Sequence, residues 1–274
     1  MVAVIGIALF CKQKSKGRKT PLQVFPQDFG LQAETVSFLS SDGVPLEGWF
    51  IPCEKTKKTI IFVHGFDMNK GDMLKRTHYL AADYNLFYMD CRGAGNSQGV
   101  SGMGLKEVKD LEGAVSFLRT QKPAYGEEIA FYGLCMGAAV ASYYAAKKKC
   151  CRCLVLESSY YSFKEIVCRW AWLHTYIPYF PVVWAFLMWT EKQSGIPLET
   201  FSLKTNACEI TCPVLMLQGE RDRLAPVANA CLIFYLIPAP KELWVIPGAG
   251  HTSCHEKGGE VYQDKIRAFF NNNF

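Results

Sequence analysis

A strand that must become a helix at a single residue constrains this chain more than any other feature. The stretch Tyr132-Gly133-Leu134-Cys135-Met136-Gly137-Ala138-Ala139 follows a short β-like run, Glu128 to Tyr132. It leads into an Ala-rich stretch, Met136 to Lys149, of high helix propensity. A turn that sharp forces its corner residue into a strained backbone, and Gly133 and Gly137 let the two arms approach. The corner side chain then projects above the sheet at a helix N-terminus, where the dipole favours an anion. The pattern is G-x-Nuc-x-G, with the thiol of Cys135 as the candidate nucleophile. The pattern alone is weak, because a cysteine is often a small buried hydrophobe.

The rest of the chain supplies a rhythm. Val36 to Leu39 and Leu46 to Ile51 flank Ser40-Ser41-Asp42-Gly43 and predict a hairpin. Thr59 to Val63, Leu86 to Met89, Leu154 to Leu156, Val214 to Leu217 and Leu243 to Ile246 predict further strands, separated by stretches of helical periodicity. Helices are expected at about 70–84, 105–119, 226–236 and 259–270. Strands alternating with helices imply an α/β fold with a mainly parallel sheet and helices on both faces. A length of 274 residues suits one such domain. The aromatic, Pro-interrupted stretch at about 160–206 breaks the rhythm and reads as an inserted helical cap, with plain core packing as the alternative. The organisation expected is therefore a segment at 1–20, then a domain at 30–274 carrying that insertion.

Val2 to Phe10 is wholly apolar, and Lys12, Lys14, Lys16, Arg18 and Lys19 follow it. Nine or ten helical residues reach only about 15 Å, half of a bilayer core. A secretory signal carries its charge before the apolar run, not after it. The segment reads as a short membrane anchor facing the cytoplasm or as a hydrophobic tail. It also supplies much of the net charge of +5, so that charge marks no basic binding face, and no nucleic-acid partner is assigned. Twelve cysteines without regular spacing fit a reducing compartment, several of them in apolar runs such as Cys153, Cys212 and Cys231. Cys150, Cys151 and Cys153 lack a second pair at zinc-site spacing, so no metal is assigned.

Acyl transfer needs a nucleophile, a base, a group that orients the base and donors for the oxyanion. His251 lies just past the last strand in Pro247-Gly248-Ala249-Gly250-His251, and Asp222 just past the strand before it. Glu220 competes with Asp222 as the acid, and His255 and His64 compete with His251 as the base. His64 reads as structural, holding the loop that carries Phe66, whose amide would donate one oxyanion hydrogen bond. The Met136 amide would donate the other.

Val63-His64-Gly65, the loop Asp90-Cys91-Arg92-Gly93-Ala94-Gly95-Asn96-Ser97, the Cys135 corner, Asp222 and His251 together resemble the α/β-hydrolase superfamily. Within it, the chain from Val36 to the C-terminus is most similar to the bud-emergence-type proteins and serine aminopeptidases. That resemblance implies ester, thioester or amide hydrolysis of a small-molecule or lipid-like acyl substrate, without a cofactor. Many of those proteins carry an N-terminal membrane anchor. Cysteine in place of serine leaves three readings: a thiol hydrolase, an acyltransferase, or a non-catalytic binding protein on the same fold.

Overall fold

The computed structural model describes residues 19–274, so the apolar-basic run at 1–18 lies outside the described residues. Eight strands form one sheet in the order β1-β2-β4-β3-β5-β6-β7-β8. They are β1 Glu34–Leu39, β2 Pro45–Ile51, β3 Thr59–Val63, β4 Asn85–Met89, β5 Ile129–Leu134, β6 Leu154–Glu157, β7 Val214–Gly219 and β8 Lys241–Ile246. Strand β2 runs antiparallel to both neighbours, and every other pairing is parallel.

The long helices are α1 Lys70–Thr77, α2 Glu107–Gln121, α3 Met136–Lys148, α4 Phe163–Thr175, α5 Trp184–Ser194, α6 Val227–Leu236 and α7 Cys254–Asn273. Two apolar clusters put them on opposite faces of the sheet. Side chains of α2, α3 and α6 share one cluster with Ile129 and Phe131 of β5. Those of α1 and α7 share the other with Ala130, Tyr132 and Leu134 of the same strand. A strand with both alternating sets buried reads as a continuous apolar run, which is why β3 and β5 were visible in the sequence.

Two expected helices shift. The helix expected at about 70–84 ends at Thr77 and continues as a tighter turn, His78–Ala82. The last helix starts at Cys254, not near Gly259, because Gly259 adopts φ 52°, ψ −133° and kinks an earlier helical turn into it. Cys231 sits in an apolar run yet is exposed, because α6 also turns Leu232 and Tyr235 to solvent.

Between β6 and β7 the chain leaves the sheet for α4, α5 and shorter turns. Tyr176 in the left-handed region closes α4. Pro178 and Pro181 then keep α4 and α5 from joining. Among the described residues, no helix is long and apolar enough to cross a membrane.

The Asp90–Ser97 loop is scaffold. Lys70, fully buried at the start of α1, donates through Nζ to Asp90 Oδ2 at 2.7 Å and to Glu47 Oε1 at 2.6 Å. Asp90 also accepts the amides of Lys70 and Asn96 at 2.8 and 3.0 Å. Gly95 has φ +43° with the Asp90 carboxylate packed where a Cβ would stand, so only glycine fits there. Arg92 bridges Asp110 and Asp42, and Ser97 Oγ donates to Asp90 O at 2.7 Å. These bonds tie β2, β4, α1 and α2 together behind the carboxyl ends of the parallel strands. Lys70→Met strands a buried carboxylate, and we expect it to cost about 3–5 kcal/mol. Urea denaturation measures this, and a loss within about 0.5 kcal/mol, as for an ordinary surface change, would refute the paired arrangement.

Candidate active site

Cys135 occupies the corner between β5 and α3 with φ 51°, ψ −108°, a conformation non-glycine residues rarely adopt. Its amide donates to Glu157 O at 2.9 Å, and its carbonyl accepts from Ala138 N at 3.1 Å. The flanking glycines are obligatory. A Cβ on Gly133 would lie 2.4 Å from Gly137 O, and one on Gly137 only 2.0 Å from Val63 O. Gly65 brings the next loop close as well, since a Cβ there would stand 3.5 Å from Cys135 Cβ.

His251 follows β8 on the loop ahead of α7. Its Nδ1 donates to Asp222 Oδ2 at 2.8 Å, which leaves Nε2 for the thiol. Nε2 is buried and makes no regular hydrogen bond to a described group. Burial pulls the imidazole pKa down. The charge that Cys135 carries when ionised and its hydrogen bond to Asp222 outweigh burial and raise the pKa to about 10.

Asp222 is fully engaged. Beyond His251, its Oδ2 accepts from Gln218 Nε2 at 2.8 Å, and its Oδ1 accepts the Leu224 and Ala225 amides at 2.9 and 2.8 Å. The carboxylate therefore orients the base and also caps the turn leading to α6. Glu220 faces elsewhere and accepts the Gly248 amide at 2.8 Å.

The two other candidate bases have structural partners. His64 Nε2 accepts the Cys91 amide at 3.0 Å, so Nδ1 carries the proton and donates to Gly65 O at 2.7 Å. His255 Nδ1 accepts from Arg76 Nη1 at 2.8 Å, and burial followed by the Arg76 charge pushes its pKa down.

The loop after β3 carries Phe66, and Met136 opens α3. As the first residue of that helix, Met136 has no intrahelical acceptor for its N–H. Both residues line a small recess with His64, Gly65 and Met68. A larger open cleft of about 530 Å³ lies between α4 and the acid loop, walled by Arg169, Trp172, Leu173, Asp222 and Arg223.

Several supports went unread in the sequence. Gln218 is a polar residue closing an apolar strand, and that contrast was its only signal. Ser158 Oγ donates to His251 O at 2.5 Å from a backbone with φ 51°. Arg76 Nη1 donates to Thr252 O at 2.8 Å, beside buried Glu157 at 3.7 Å. Glu157 Oε2 in turn accepts from Tyr132 and Tyr262 at 2.6 and 2.8 Å. Burial, then the Glu157 charge, pushes both phenols up and keeps them as donors. These pairings join residues as many as 176 positions apart, which local periodicity does not reveal.

The sheet and the nucleophile-type corner define an α/β-hydrolase. Residues 54–190, half of the chain, match the serine aminopeptidase family, S33. The chain belongs to that family. The match takes in His64, the Asp90–Ser97 loop and Cys135, and it ends before Asp222 and His251. The chain is 26% identical to the YfhR protein of Escherichia coli over 86% of its own length and 80% of YfhR. It is 27% identical to protein bem46 of Schizosaccharomyces pombe, over 79% of this chain and 70% of that one. Its fold is similar to that of the Pyrococcus furiosus esterase Pf2001, with TM-score 0.77, 23% identity, and coverage of 94% of this chain and 97% of the esterase.

The His251 environment makes a pH prediction. Its folded pKa lies above the ordinary 6.5, so the stability it contributes is fully present below about 6.5 and is lost as pH rises through about 10. An NMR titration of the imidazole should show a midpoint near 10, and Cys135→Ala should lower it. An unchanged midpoint in that variant would show that the thiol does not face the imidazole.

Proposed function

We propose that the protein hydrolyses an acyl ester, thioester or amide without a cofactor, through Cys135, His251 and Asp222 and a thioester intermediate. The observation that carries this reading is the corner geometry. A thiol is held at φ 51° at the start of a helix, beside an imidazole whose other nitrogen is bonded to a buried carboxylate at 2.8 Å. The esterase named among the structural relatives supports the same class of reaction.

His251 Nε2 takes the proton of the Cys135 thiol. The sulfur attacks the carbonyl carbon, and the electron pair moves to the oxygen, facing the Phe66 and Met136 amides. As the intermediate collapses, the bond to the leaving group breaks, and the leaving atom takes the proton from His251 Nε2. Neutral His251 then accepts a proton from water as the water oxygen attacks the thioester. The carbon–sulfur bond breaks, the sulfur takes the proton back from His251 and the acid departs. Asp222 holds the imidazole in the tautomer that aims Nε2 at the thiol.

In this reading residues 163–206 form a cap over the cleft, which suits a lipid-like acyl group or its leaving group. The eleven described cysteines are all free, which supports a reducing, cytoplasm-facing location.

Turnover of p-nitrophenyl butyrate tests the assignment. Cys135→Ala and His251→Ala should each retain under about 1% of the wild-type rate, with losses that do not add in the double variant. Asp222→Asn should lose about 10²–10⁴-fold, and Glu220→Gln little. A Cys135→Ala enzyme that keeps its rate, or a larger loss at Glu220 than at Asp222, overturns the roles given.

The thiol has its own test. Cys208 and Cys231 are exposed and will react with general alkylating agents, so a simple thiol count does not discriminate. An acyl-type electrophile such as a β-lactone should instead mark Cys135, and peptide mass mapping locates the adduct. Equal marking of Cys208 and Cys231 in native protein would mean that the thiol is not activated.

A further inference from the structure

From Trp170 to Thr190 the chain contains no Asp, Glu, Lys or Arg, over 21 consecutive residues. Much of this stretch is at the surface. Trp172, Tyr176, Phe180, Trp184 and Met188 recur at every fourth position and are all exposed, from 44% for Trp184 to 76% for Tyr176. They follow the end of α4, the Pro-containing turn and the start of α5. The rings touch in pairs, with Trp172 and Tyr176 centroids 6.0 Å apart and those of Phe180 and Trp184 5.8 Å apart. The result is an apolar ridge that the other described residues leave uncovered. Scattered exposed hydrophobic residues need no explanation, but five large ones within an uncharged stretch, two pairs of them in contact, do.

A second observation comes from the other end of the chain. Thr20 Oγ1 donates to Asp67 O at 3.1 Å, and Asn69 Nδ2 donates to Thr20 O at 3.3 Å. The first described residues are thus fastened to the loop that carries Phe66, at the carboxyl ends of the parallel strands. The inserted helices leave the sheet at that same end, after β6. The residues just before this fastening are the apolar run Val2 to Phe10 and the basic run Lys12 to Lys19. An apolar segment beside a cluster of basic residues is the composition that binds lipid, through burial and attraction to anionic headgroups.

We infer that the ridge 172–188 is a surface on which the protein lies against a lipid bilayer, with the mouth of its active site turned to the membrane. Tryptophan and tyrosine suit the headgroup level, where one part of the ring is dry and the other wet. The prolines keep the stretch from spanning and leave it lying in the interface. Trp172 belongs both to the ridge and to the wall of the 530 Å³ cleft, which Asp222 also lines, so an acyl chain leaving the bilayer would enter on the side of the acid loop. That last step rests on the acyl-hydrolase reading, whereas the docking itself does not.

The test uses the full chain and sedimentation with phosphatidylcholine vesicles. Wild type and Cys135→Ala should bind equally. Tyr176→Ser/Phe180→Ser/Met188→Ser should bind at least about tenfold more weakly, while hydrolysing soluble p-nitrophenyl butyrate at the wild-type rate. With phosphatidylserine added, that variant should regain binding that 0.5 M salt removes, as expected of the basic run. Unchanged binding of the triple variant to neutral vesicles overturns the proposal. So does light scattering that finds a wild-type dimer and a monomeric triple variant, since a second copy would then cover the ridge. Vesicle binding by a protein that hydrolyses no ester would sink the catalytic reading alone.

Discussion

Backbone proximity at the corner of β5 and α3 is the constraint on which the rest of this molecule depends. Gly137 can approach Val63 O only because it lacks a side chain, and Gly133 packs against Gly137 for the same reason. These contacts bring the ends of β3 and β5 together. They set the Cys135 sulfur beside the loop of Phe66, and they let α3 begin without a spacer. The strain at Cys135 persists because the sheet and helix on either side are buried and leave it no alternative.

Around that corner, buried charge does what apolar packing alone does not. Lys70, Asp90, Arg92 and Asp110 fix the loops after β3 and β4, while Arg76 and Glu157 fix the loop after β8. Each group is desolvated, so each one left unpaired would be costly, and the networks tolerate few alternative loop positions. This gives the His64–Met68 loop, the Cys135 corner and the His251 loop a common frame, though they lie far apart in the sequence.

The fold was legible because its signals are local. The runs that became β3, β5 and β7 are apolar but for an end residue such as Thr59 or Gln218, and the corner announces itself by two glycines around a cysteine. Cys135, Asp222 and His251 stand out in the sequence because each follows a strand, and the structure brings His251 and Asp222 within hydrogen-bond distance. What escaped is what depends on contact across the chain. Nothing local in the sequence marks Arg76, Glu157 or Ser158, whose partners lie on other elements. Cys231 shows a related limit: an apolar neighbourhood in sequence is not a buried one when a helix turns that face to solvent.

The anchoring of His251 has a consequence for how such a molecule can change. Its loop is tied to β6 through Ser158 and to α1 through Arg76, while the inserted helices touch none of these bonds. Substitutions at exposed positions of residues 163–206 therefore leave these two anchors intact. The loop of His251 is thus held from the sheet and α1, and the exposed face of the insertion can change without loosening it.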